Sequence, residues 1–378
     1  MTAFSCSPSS SSRSSCAMVS FPAPVGGTPL TIDFAPSIVF SALYGLLIPL
    51  MVYRMCGRRS RTTLLIGTLS FVVERCAIFG LRAWQSRNEK SRQESGLLDY
   101  MQISFAMGSI GIANDLVAIV RCLLVNPTYG FKRFPESPAA KTKEYVVSPP
   151  VDGTNDMPRT RFRMRRLSGI LGMLYLASMI PCVIANSAFY RTLQQQYWAD
   201  RVYELRLASS AIGILLAVSL FTSVLWGKRK LERISIRGVV VASVLVALIT
   251  IISVYRLIVM PLRVTSLSDP VRTNTSSGKA AFYVFHVLPE WLSSVILFGA
   301  QTRKIFGTGP CGDVRSKDET EEQKMKRLDK EAKKATKKAE KAAKARAAGI
   351  DLEMNEKEVQ LVEKVDLVSS PVAMWTFK

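Results

Sequence analysis

Apolar residues in this chain come in blocks of about 20, the length an α-helix needs to cross a hydrocarbon core about 30 Å thick. Seven such blocks stand out, at 34–53, 63–84, 97–125, 167–190, 207–226, 238–260 and 281–300, each bounded by polar connectors. A soluble helical protein has little use for so many uninterrupted apolar runs. The pattern predicts an all-α fold, a polytopic membrane protein with seven transmembrane helices.

The connectors set the orientation. Connectors 1, 3 and 5 carry eighteen lysines and arginines, against nine in connectors 2, 4 and 6. Basic connectors stay on the cytoplasmic side, so the N-terminus is expected outside and the C-terminus inside. The sequon Asn274-Thr275-Ser276 falls in outer connector 6 and makes Asn274 a glycosylation candidate, whereas Asn126-Pro127-Thr128 in an inner connector is disqualified by its proline.

These landmarks divide the chain into three parts. Residues 1–32 read as a disordered extracellular Ser/Pro-rich tail with no apolar segment of the signal-peptide kind. Its Cys6 and Cys16 are the only cysteines expected on the oxidising side, where a disulfide or two free thiols are equally open. Residues 33–305 form the bundle, and its proline-rich connector 3, 126–166, is expected to be irregular. Residues 306–378 form a Lys-rich cytoplasmic tail with a helical segment at about 318–348. Cys311, just past the last block, stands where palmitoylation occurs.

The formal charge of +21 follows from the inner connectors and this tail. Anionic membrane lipids are the expected partner of a basic tail held under a bilayer. A cytoplasmic signalling partner is a further candidate for the basic loops and tail, and no nucleic acid is expected.

Charge also occurs where it is costly. Glu74 and Arg75 lie side by side in the middle of the second block, with Arg82 toward its outer end. The sixth block carries Arg256, the seventh His286 and Glu290 one turn apart, and Gln102 stands near the start of the third. Each ionisable group at mid-bilayer costs about 2.5–3.5 kcal/mol, so it should face the bundle interior and mark a ligand or ion path. Glu74, Arg75, Arg256, His286 and Glu290 are therefore the candidate ligand-binding residues of a polar pocket in the outer half of the bundle. An alternative is a purely structural ion-pair layer. Pro289 should free a carbonyl one turn back and kink the seventh helix. Asp115 and Arg121 lie deeper, toward the cytoplasm.

Several chemistries lack their residues. One histidine cannot build a three-histidine zinc site, and the cysteines lack metal-ligand spacing. No lysine lies inside the seventh block for a Schiff base, and nucleophile-elbow and phosphate-loop motifs are missing. The chain is expected not to be an enzyme and to need no cofactor or metal.

Glu74 with Arg82, Gln102, Tyr255-Arg256, and Phe282-Tyr283-Val284-Phe285 followed by Leu288-Pro289 resemble the fungal lipid-translocating exporter family, of the resistance-to-aminocholesterol type. The resemblance spans residues 33–305. It implies seven helices with the N-terminus outside, a fungal source and the moving or sensing of amphiphilic lipids such as long-chain bases. The plasma membrane is the expected location. The sequence departs from that pattern at three places: no Gly-Tyr separates the helix 2 charges, Val259 stands where a glutamate follows the Tyr-Arg pair, and His286 replaces an aspartate. Two other classes fit the same topology, a G-protein-coupled-receptor-like sensor and a membrane scaffold. The usual receptor signatures, an acid before Arg121 and an Asn-Pro-x-x-Tyr motif in the seventh helix, are not present.

Overall fold

A computed structural model describes residues 19–57, 60–129, 156–267, 269, 272–314, 317–318 and 321–347. Each long apolar block is a helix: α1 (Phe34–Cys56), α2 (Ile66–Arg87), α3 (Ser95–Val125), α4 (Pro158–Ser187), α5 (Gln196–Lys230) and α6 (Ile236–Val259). The seventh crossing comes in two pieces, α7 (Ser276–Phe282) and α8 (Leu288–Gly299), joined by one π turn at Tyr283–Val287. Proline 289 has no N–H to give to the turn before it, and the π turn is how the backbone accommodates that loss. Seven helices are thus long and apolar enough to cross a membrane, and the chain is an all-α, multi-pass membrane protein.

Burial follows the same logic. Leu46, Met173 and Leu215 are among many large apolar side chains left exposed on the outer faces, as expected where lipid is the solvent. The interior is aromatic: Tyr44 stacks on Phe79, and Phe105 meets Phe282 edge to face. The central helix is α3, the most enclosed of the seven. Gly108 in its middle is obligatory there, because a Cβ would overlap Arg75 and Phe71 of α2.

Three expectations are corrected. First, residues 19–32 are not a disordered tail. Phe21–Pro22 (β1) pairs antiparallel with Arg263–Val264 (β2), and Val19, Phe21, Ala23 and Val25 are buried among the outer ends of the helices. Cys6 and Cys16 lie outside the described residues. Second, the end of connector 3 is regular, since α4 begins at Pro158 and carries Arg159–Arg166 on its first two turns. Proline at the first helical position loses no hydrogen bond. Residues 130–155 lie outside the described residues.

Third, the bundle does not stop at 305. Beyond α9 (Thr302–Phe306), Pro310 O accepts from Thr63 N and Oγ1, and the buried Asp313 receives Arg165 Nε at 2.8 Å with Arg121 at 3.8 Å. The compact unit ends near Ser316, and residues 317–378 form a second unit containing α10 (Glu321–Ala347). Truncation after residue 316 should therefore leave the melting temperature in detergent unchanged. Truncation after Phe306 should lower it by the equivalent of about 3 kcal/mol or more, because Asp313 is taken from a buried arginine. Equal melting temperatures for the two truncations would place the boundary back at 305.

Candidate functional site

With the ends of the bundle named by the connector charges, two polar layers lie above one another. The first is at mid-membrane. Glu290, on the first turn of α8, accepts Arg75 Nε at 2.9 Å and Nη2 at 3.1 Å, and both side chains are 0% exposed. The guanidinium also donates to Ser104 Oγ at 2.7 Å and Ser104 O, and its Cζ sits 4.4 Å from the Phe71 ring centroid. This bidentate fork fixes α2 against α8 across α3. Arg256 lies on the other side of α3, donating to Ala106 O at 2.8 Å and Ser109 Oγ at 3.4 Å, with no carboxylate in ion-pair range among the described residues. His286 is enclosed by Phe105, Phe282 and Tyr255. Neither ring nitrogen makes a well-formed hydrogen bond, and Glu290 Oε1 is 3.9 Å from Nε2.

This layer is packed. The expected pocket lined by Glu74, Arg75, Arg256, His286 and Glu290 is not open here: the last four are 3% exposed or less. Glu74 is not part of it. It is half-buried on the flank of α2 near Tyr100, and makes no hydrogen bond or ion pair among the described residues. The reason is rotation: neighbours on a helix are 100° apart. The buried stripe of α2 runs Val72, Arg75, Ile78, Phe79, Arg82, and Glu74 cannot share it.

The second layer is the outer mouth, where sequence reasoning missed most of the participants. Asp33 is fully buried beside the start of α1, 3.0 Å from Arg82 Nη2 and 2.8 Å from Lys279 Nζ, and its Oδ1 accepts the Tyr283 hydroxyl. The same two cations grip the N-terminal segment. Arg82 and Lys279 both donate to Gly26 O, and Lys279 also to Thr28 O. Gly26 and Gly27 have φ of 77° and 63°, and a Cβ at Gly26 would lie 2.8 Å from the Phe282 ring. Only glycine suits that turn.

A third cation completes the mouth. Arg206, 0% exposed near the outer end of α5, donates to Asn186 Oδ1 and Gln102 Oε1 at 2.6 and 3.0 Å and to Ala23 O at 3.3 Å. Gln102 brackets Val25, accepting from its N–H at 2.9 Å and donating to its carbonyl at 3.4 Å. Residues 20–28 are thus held by main-chain hydrogen bonds to side chains from α2, α3, α5 and α7 and from the sixth connector. Asn274 belongs to this set: Oδ1 accepts Thr28 N, while Nδ2 donates to Leu267 O and Asp269 O. A glycan on Nδ2 would displace one of those bonds. Cys311, the acylation candidate, is half-buried in the segment after α9. Asp115 receives Thr68 N and Oγ1 and caps the start of α2.

Fold and site together define a seven-helix, multi-pass integral membrane protein with a packed charged centre and an outer mouth filled by its own chain. No protein-family model matches this sequence, and no curated protein or solved structure matches it either.

Proposed function

We propose that this protein recognises an amphiphilic, lipid-like ligand at its outer mouth, in the plasma membrane, without catalysing a reaction on it. One observation carries the reading: Arg82, Arg206 and Lys279, all 3% exposed or less, converge there with Asp33 as the one carboxylate in ion-pair range among the described residues, and each directs a donor at a main-chain carbonyl of residues 23–28. Buried cations in a membrane protein are expensive to keep and mark binding paths by default. Their donors suit a headgroup rich in oxygen acceptors, hydroxyl, carbonyl or phosphate. The rings of Phe282 and Phe105 offer an apolar wall for the chain. This is the amphiphile class that the resemblance to lipid-translocating exporters implies, with an acceptor-bearing head favoured over a cationic one.

A second reading has its own support. Arg75 and Glu290 are closed on each other at 0% exposure, which is what a scaffold with a structural ion-pair layer would show. Native mass spectrometry of the full chain with its co-extracted lipids separates the two. Ligand recognition expects a retained acceptor-headed amphiphile whose occupancy falls about tenfold in Lys279→Met, the loss of one charged hydrogen-bond donor. No retained amphiphile, or the same occupancy in Lys279→Met, would leave the scaffold reading standing.

A further inference from the structure

A cavity of about 370 Å³ opens at the cytoplasmic end of the bundle, between the last turn of α1 and the segment that follows α8. Arg54, Arg303 and Lys304 line it beside Tyr53, Leu297 and Phe298, and none of its described lining residues is acidic. This site lies at the opposite end of the molecule from the mouth and shares no residue with it.

We infer that this cavity binds the phosphate group of an anionic lipid from the inner leaflet. The charge argument comes first. Arg54 and Lys304, cationic side chains from two elements, line one volume that has no carboxylate among its described lining residues, and such an arrangement calls for an anion. Arg54 spends Nη2 on Gly299 O at 3.0 Å, the carbonyl at the end of α8, while its buried Nε meets no hydrogen-bond partner. Lys304 is exposed and makes no hydrogen bond or ion pair among the described residues, so its charge is free to turn inward.

Depth and composition then select a lipid. Arg54 is in the last turn of α1, at the level where headgroups lie, and Tyr53 beside it is 72% exposed, as an interfacial aromatic anchor would be. Met55, Leu65, Leu297 and Phe298 give the wall an apolar stretch that suits the glycerol and first methylenes of an acyl chain, and Ser60, Thr62, Gln301 and Thr302 add polar groups beside it. Basic pockets between transmembrane helices on the cytoplasmic side are suited to phosphate headgroups. Phosphate fits the donor set better than carboxylate alone, since the guanidinium of Arg54 and the ammonium of Lys304 come from different elements and three phosphate oxygens can meet both.

The test is a titration of short-chain phosphatidic acid into the full chain in neutral detergent, with short-chain phosphatidylcholine and inorganic phosphate in parallel. Saturable binding of phosphatidic acid is expected, with much weaker binding of the other two. Arg54→Gln and Lys304→Gln should each weaken it about fivefold, the effect of one basic residue beside an anionic headgroup. Lys304→Gln removes no contact of the fold, so it remains informative if Arg54→Gln loosens α1 from α8. Lys230→Gln, a basic residue of the inner rim outside the cavity, should leave the affinity unchanged. An equal loss in Lys230→Gln would mean diffuse surface attraction and overturn the site. Full competition by inorganic phosphate at equal concentration would overturn the lipid as its ligand.

Discussion

Glu290→Gln should destabilise the bundle by about 3 kcal/mol or more, since it leaves the guanidinium of Arg75 charged and without its counter-ion in a dry interior. The carboxamide keeps the shape of the carboxylate, so packing is not the cause of the loss. Arg75→Met should cost a similar amount by stranding Glu290. The double variant should recover much of the deficit, because with both charges gone no uncompensated ion is left in the interior. Glu74→Gln serves as the control: half-buried and with no hydrogen bond or ion pair among the described residues, it should shift the melting temperature little. Thermal unfolding of the four variants in one detergent measures the coupling. Additive losses, with no recovery in the double variant, would show that the 2.9 Å contact does not hold α2 to α8.

The second large effect is expected at Asp33. It is the only carboxylate within ion-pair distance of Arg82 and Lys279 among the described residues, and its Oδ2 also accepts the Leu30 N–H. Asp33→Asn should therefore strand two cations at once, with a cost of about 3–5 kcal/mol. Because those cations also hold Gly26 and Thr28, the segment should loosen before the helices separate. A cysteine placed at Val25, buried in the native protein, reports this: a membrane-impermeant thiol reagent should label Val25→Cys slowly, and much faster when Asp33→Asn is added. Adding Lys279→Met to Asp33→Asn should restore part of the protection. Equal labelling rates with and without Asp33→Asn would show that the outer segment is held by its apolar side chains alone.

The crossings were legible because a membrane imposes a length rule that the sequence must write as apolar runs. Arg75 and Glu290 were legible for the same reason, as charges in places where charge is expensive. Their pairing was not, since which of two adjacent residues faces inward depends on a rotation that a run apolar on all sides does not encode. Thus Glu74, equal to Arg75 in the sequence, falls on the flank. Asp33 and Lys279 escaped notice because they lie at helix ends, where charge looks like an ordinary connector, and Arg206 because the apolar run starts only at 207 although α5 begins at Gln196. A lone carboxylate opening the first crossing was the available signal. Residues 19–32 misled for a related reason: Ser, Pro and Gly mark a chain that will not form a helix, and a segment can lack a helix and still be seated by its backbone. In the same way the segment after Phe306 looks like linker until Asp313 meets Arg165.

The outer segment also sets an order of assembly. Residues 20–28 leave the ribosome before any of the helices, yet Lys279 lies 253 residues after Gly26 and Asn274 lies 246 after Thr28. At roughly 5–20 residues per second, those partners are made roughly 10–50 s later. Arg82 and Gln102 are made sooner, 56 and 77 residues after the positions they hold, so through that interval the seat is only partly built. A segment made before any of the seven crossings is therefore fully held only once the seventh has begun, and its complete docking reports that the six before it have been made.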